Sequence, residues 1–92
     1  MKIQKDKVSV IMSVFNSENT ILSCINSILQ QTHSNFEFLI VDDASTDSTY
    51  SLLKSFESKD NRIKIYQNDS NIGLTKSLNF VSSFASGEYI AR

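Results

Sequence analysis

The sequence has no proline, two glycines, one cysteine, one histidine and no excess of either charge. Each shortage closes off a class of protein. With no proline, no repeats and no low-complexity tract there is nothing to mark a linker, so residues 1–92 read as one domain. A single cysteine, Cys24, excludes an internal disulfide and fits a reducing compartment. Nine Lys plus Arg against ten Asp plus Glu give a formal charge of −1. That balance lacks the basic excess of a nucleic-acid binder, and no nucleic-acid partner is expected. The apolar stretch VSVIMSVF is broken by Ser9 and Ser13 and falls well short of the roughly 18 residues of a membrane span. It is also too interrupted for a signal peptide, which points to a cytoplasmic start. His33 has no second His or Cys at ligand spacing, so no metal site is expected within these residues.

What is present is an ordinary globular composition, 40% hydrophobic and 21% charged. A chain of this size buries roughly two thirds of its unfolded surface, enough for one modest core. Val8 to Phe15 is apolar on both faces, as a buried parallel strand would be. Asn16 and Ser17 are good caps for a helix from Glu18 to Gln31, with Ile21, Ile25, Ile28 and Leu29 at helical spacing. The polar residues Thr32 to Asn35 interrupt, and Phe36 to Val41 reads as a second buried strand ending at Asp42 and Asp43. Ser45, Thr46 and Asp47 resemble the start of a second helix carrying Leu52, Leu53 and Phe56. After the turn Lys59 to Asn61, alternating Ile63 and Ile65 suggest a half-exposed edge strand. Asn71-Ile72-Gly73 leads into a third helix with Leu74, Leu78, Val81 and Ala85 on one face. Gly87 stops that helix, and Glu88 to Ala91 opens a fourth strand. This β-α-β-α-β-α-β alternation predicts an α/β fold: a three-layer α/β/α arrangement around a Rossmann-like parallel sheet.

Ligands of open parallel sheets bind beyond the carboxyl ends of the strands. Two such ends carry suitable chemistry. Asp42 and Asp43 can accept hydrogen bonds from a base or from ribose hydroxyls; the plain alternative is an Asx turn with both acids solvated. Ser13 to Glu18 can line the same pocket, with Phe15 against a base and Asn16 bracing the loop. Alternatively, Phe15 is core and Asn16 an ordinary cap. Lys76, just inside the third helix, would suit a diphosphate, although most helical lysines simply face solvent. Cys24 reads as a packed thiol on the first helix.

The strings VSVIMSVFNSENTILSCINSILQQ and NFEFLIVDDASTDST, followed by NDSNIGLTKSLNFVSSFASGEYIAR, resemble the opening of family 2 glycosyltransferases with the GT-A fold. The likeness covers residues 8 to 92 in order and spacing. It implies a nucleotide-diphosphate sugar donor. Ser13, Val14 and Phe15 would flank the nucleobase, and Glu18 would stand in the same pocket. Asp43 would bond the base or ribose, Asp42 would brace the adjacent loop, and Lys76 would reach towards the nucleotide or diphosphate. Ser13 replaces the proline commonest there, which loosens the turn.

In the family an Asp-x-Asp pair holding Mg or Mn follows soon after the strand matched by Glu-Tyr-Ile, and a catalytic base lies further on. Neither occurs before Arg92. The resemblance therefore implies a longer parent, active in polysaccharide or glycoconjugate synthesis at the cytoplasmic face of the membrane. This chain would be its donor-binding N-terminal half, with no catalytic or metal residue and no activity alone. The alternative is a non-catalytic nucleotide-binding or structural module. A receiver domain of two-component signalling fits poorly, because its acid pair sits on the first strand. Family analogy also implies the strand order third, second, first, fourth. That order would leave an apolar edge of Val8, Val10, Ile11, Met12, Tyr89 and Ile90, and self-association through it is expected.

Overall fold

The computed structural model describes residues 7–31 and 35–91, with backbone alone at 31 and 88–91. His33 therefore lies outside the described residues. Seven elements alternate: β1 (Val8–Val14), α1 (Ile21–Gln31), β2 (Phe36–Asp42), α2 (Thr49–Lys59), β3 (Ile63–Gln67), α3 (Leu74–Ser82) and β4 (Glu88–Ala91). All strand pairs are parallel, in the order β3-β2-β1-β4. This is the α/β sheet, and the order, that the sequence and its resemblance led us to expect.

Side chains alternate across β1 and β2, so each strand feeds both layers. Val10, Met12, Val14, Phe38 and Ile40 pack under Ile21, Ile25 and Ile28 of α1 and Leu53 of α2. Ile11, Leu39 and Val41 point to the other face, where Val81 and Ala85 cover them. The two central strands are thus mainly apolar on both sides, which explains their largely hydrophobic sequences. β3 is an edge strand as expected, with Ile63 buried and Lys64 exposed.

Several boundaries differ from expectation. α1 begins at Ile21 rather than Glu18, and α2 at Thr49 rather than Ser45. In both cases the preceding loop is held by long-range side-chain bonds that compete with helix formation. Leu74 is 60% exposed, so it is not part of the buried face of α3, and Ala85 lies beyond the helix end, although still buried. Gly87 does not stop the helix, which ends at Ser82. Its role is close approach: a Cβ there would sit 2.4 Å from the Lys7 carbonyl oxygen. Val10, Ile11 and Met12 lie under the helices rather than at a bare edge, while the side chains of Tyr89 and Ile90 fall outside the described residues.

Candidate functional site

β1 and β2 end side by side, with Val14 opposite Asp42. The next residue continues the seam, because the Asp43 N–H donates to the Val14 carbonyl at 2.8 Å. The Asn68 N–H, just past β3, donates to the Asp42 carbonyl at 2.9 Å. Three strand ends therefore meet at one edge of the sheet, where a parallel fold offers its binding crevice.

Asp43 is 3% exposed, and its carboxylate accepts three hydrogen bonds. Oδ1 accepts the Ile72 N–H at 2.8 Å and the Asn68 amide at 2.9 Å, and Oδ2 accepts the Gly73 N–H at 2.9 Å. The Asn68 amide also donates to the buried Ser77 hydroxyl at 3.0 Å. Successive N–H groups entering a helix form a concavity that favours an anion, and Asp43 fills it. Burial works to raise its pKa, but the bonds from Ile72, Asn68, Gly73 and Ser77 outweigh it and hold the carboxyl below its ordinary value. Asp42, also buried, accepts the Ser45 N–H at 3.2 Å and the Ser45 hydroxyl. Asp42 thus bonds its own loop three residues on, as a turn-forming acid does, but neither acid is solvated as the plain reading of the pair expected.

The loops after β1 and β2 are laced together. Asn16 adopts the left-handed conformation, φ 47°, and its Oδ1 accepts the Thr46 N–H at 2.8 Å. Its own N–H donates to the Ser45 hydroxyl at 2.8 Å, so Asn16 braces the loop. The Ser17 N–H donates to the Thr49 hydroxyl at 2.7 Å. Glu18 accepts the Ser48 N–H at 3.1 Å, and its own N–H reaches Asp47 at 3.3 Å. Asp47 also accepts the Thr49 N–H, and with the Thr49 hydroxyl bond foremost its carboxyl lies below its ordinary value. Ala44 is left-handed too, at φ 62°.

The geometry thus brings Ser13, Val14, Asp42 and Asp43 to one strand end, with Phe15 47% exposed beside them. Glu18 is directed instead to the start of α2. Lys76 is an exposed residue in the first turn of α3. A cavity of about 420 Å³ between β1 and α1 is lined by Met12, Ser13, Val14, Ser17, Thr20, Ile21 and Cys24. It shares Ser13 and Val14 with the expected site and includes neither acid. Sequence reasoning missed Asn68, Ser77 and Ser45. Their partners lie up to 29 positions away, and an isolated Asn or Ser carries no spacing signal. Among the described residues, no three His, Cys, Asp or Glu side chains converge to hold a metal ion.

The sequence profile of Glycosyl transferase family 2 matches residues 9–92. EpsE of Bacillus subtilis, named as a glycosyltransferase, is 47% identical over 87 residues, covering 94% of this chain and 31% of EpsE. The Escherichia coli protein WfgD, a UDP-Glc:alpha-D-GlcNAc-diphosphoundecaprenol beta-1,3-glucosyltransferase, is 42% identical over 84 residues, covering 91% of this chain and 32% of WfgD. The crystal structure of S. aureus TarS 1-349 superposes with a TM-score of 0.79 at 34% identity, covering 92% of this chain and 27% of TarS 1-349. The chain therefore spans about a third of the length of these relatives. The sheet and its helices share the fold of GT-A glycosyltransferases. From the sequence profile, these relatives and the shared fold, the chain belongs to glycosyl transferase family 2.

Proposed function

We propose that this chain is the donor-recognition half of a glycosyltransferase that moves a sugar from a nucleotide-diphosphate sugar to an acceptor during polysaccharide or glycoconjugate synthesis. One observation carries the reading: Asp43 seats the Ile72–Gly73 turn at the shared carboxyl end of β1 and β2. Ser13, Val14 and Phe15 flank the base there, and Asp43 contacts base or ribose while fixing the turn. Asp42 braces its own loop. Glu18 keeps the first loop in place through Ser48, and Lys76 reaches towards the diphosphate. TarS 1-349 has been solved in complex with UDP, which supports a nucleotide as the ligand.

The divalent metal, Mg or Mn, belongs to residues of the whole protein beyond this set, and it would neutralise the leaving diphosphate. The WfgD name specifies a lipid-linked diphosphoundecaprenol acceptor. That supports action in the cytoplasm, at the cytoplasmic face of the membrane. Among the described residues no helix is long and apolar enough to cross it.

Calorimetric titration of UDP and GDP into the 92-residue chain tests the site, with saturable binding of one nucleotide expected. Heat no greater than dilution for both at millimolar concentration sinks it. Transfer by the chain alone is not expected, because stabilising the departing charge is usually the largest catalytic term. Metal-dependent release of UDP from a UDP-sugar by the purified chain would contradict that.

A further inference from the structure

At the amino ends of the strands, opposite the acidic corner, lies a second polar cluster that nucleotide recognition does not use. Glu37 of β2 points to the α3 side, between the inward-facing Phe36 and Phe38. Its Oε2 accepts the Ser9 hydroxyl, the Ser86 N–H at 2.7 Å and the Ser86 hydroxyl at 3.2 Å. Its Oε1 faces Lys7 Nζ at 3.5 Å. Lys7 Nζ in turn donates to the Ser86 hydroxyl at 3.1 Å. Ser9, fully buried, accepts the Gly87 N–H at 2.9 Å. Gly87 has room for no Cβ, because the Lys7 carbonyl lies against it.

A carboxylate in such surroundings is costly unless it is bonded throughout. Here its bonds converge on Ser86, and through Ser9 on Gly87, the two residues that precede β4. β4 itself has four residues, too few to specify a register by its own pairing. The cluster holds the residue before β4 against the residues before and inside β1, and pairing then starts at Val8↔Glu88. We infer that Glu37 is a positioning residue that, with Ser9 and Gly87, sets the register of β4 on β1 and so aims the chain leaving β4 at the nucleotide end of the sheet. The second half of that statement rests on the function proposed above. β4 is parallel to β1 and runs towards Asp42 and Asp43. A slip of one residue would displace everything after it by about 3.3 Å and turn each side chain to the opposite face.

The test is amide hydrogen exchange, followed by NMR, on the 92-residue chain without nucleotide, so its outcome is separate from that of the titration. In Glu37→Gln and Ser9→Ala, protection of the β4 amides should fall at least about tenfold further than that of Leu39 and Val41, as expected for lost bonds to a charged group. Gly87→Ala should do the same by pushing β4 off Lys7. Glu37→Gln retains an acceptor oxygen and nearly the same volume, so it is the variant that remains folded if the others do not. Parallel loss in β4 and β2 would mean that Glu37 contributes only general stability, and would overturn the inference. So would unchanged β4 protection in Glu37→Gln, or unprotected β4 amides in the native chain.

Discussion

The Asp43 carboxylate accepts the Gly73 N–H at 2.9 Å across thirty positions of sequence, joining the end of β2 to the start of α3. Gly73 is the one described glycine with positive φ, 92°. The side chain at the candidate site and the backbone that shapes that site are thus one unit.

Asp43→Ala in the whole protein should weaken nucleotide binding by about 1.5–3 kcal/mol, the range for a hydrogen bond to a charged group. Asp43→Asn should lower stability in this chain, because one oxygen becomes a donor facing the Ile72 or Gly73 N–H. Calorimetry with UDP reads the first effect and a urea midpoint the second. Unchanged affinity in Asp43→Ala would remove Asp43 from the site. An unchanged midpoint in Asp43→Asn would mean that the carboxylate does not hold the turn.

Two backbone positions give opposite signs for exchanges between alanine and glycine. Ala44 sits at φ 62°, where a Cβ costs about 1–2 kcal/mol. Glycine gives back about 0.4–1 kcal/mol through the freer unfolded chain. Ala44→Gly should therefore stabilise by several tenths of a kcal/mol or more and raise Tm by a few degrees. Gly73→Ala, at φ 92° and ψ 166°, enters a region nearly exclusive to glycine and should cost about 1–3 kcal/mol. No neighbour lies within 4 Å of its missing Cβ, so the loss reports conformation and not a clash. Thermal melts of both variants decide it, and a lower Tm in Ala44→Gly would show that its loop is not strained.

Acid should unfold the chain through Asp43 and Glu37. In Glu37, burial raises the carboxyl but the bonds from Ser9 and Ser86 and the charge of Lys7 prevail, so both groups lie below their ordinary values of 3.8 and 4.5. A folded pKa below the unfolded one gives stability that is complete above the unfolded value and lost as pH falls through the folded one. Urea midpoints should be flat with respect to these groups above about pH 5 and should drop below about pH 4. In Asp43→Asn and Glu37→Gln the acid limb should be shallower, though from a lower plateau. An unaltered limb in both would place the acid sensitivity elsewhere.

Element types were legible because buried strands and amphipathic helices leave periodic traces that need no knowledge of the partner. Helix starts were not legible. Glu18 and Ser45 have capping chemistry, yet Asn16, Glu18 and Asp47 spend their polar atoms across 29 or 30 positions, between loops. The acidic corner was visible as two adjacent acids after a strand. A division of labour between Asp42 and Asp43 came only from the family resemblance and not from spacing, since their bonds depend on Ser45 for one and on Asn68, Ile72 and Gly73 for the other. Gly87 was misread as a helix stop because its reason, the Lys7 carbonyl, lies at the far end of the chain.

The sheet order also bears on association. Among the described strands β3 and β4 are the edges. β3 carries exposed Lys64 and Gln67, and an edge lysine discourages pairing with another chain. The outer edge of β4 offers its backbone N–H and C=O groups to a further strand. A second copy related by a two-fold axis can supply one, pairing β4 with β4 antiparallel and extending the sheet without leaving open ends between the copies. A chain of 92 residues has little stability to spare, so linkage to a dimer would raise its apparent stability with concentration. Light scattering on a size-exclusion column at tens of micromolar should give about twice the 10.4 kDa of one chain. The melting temperature should also rise with concentration. A monomer of constant Tm over a hundredfold concentration range would show that the β4 edge does not recruit a second copy.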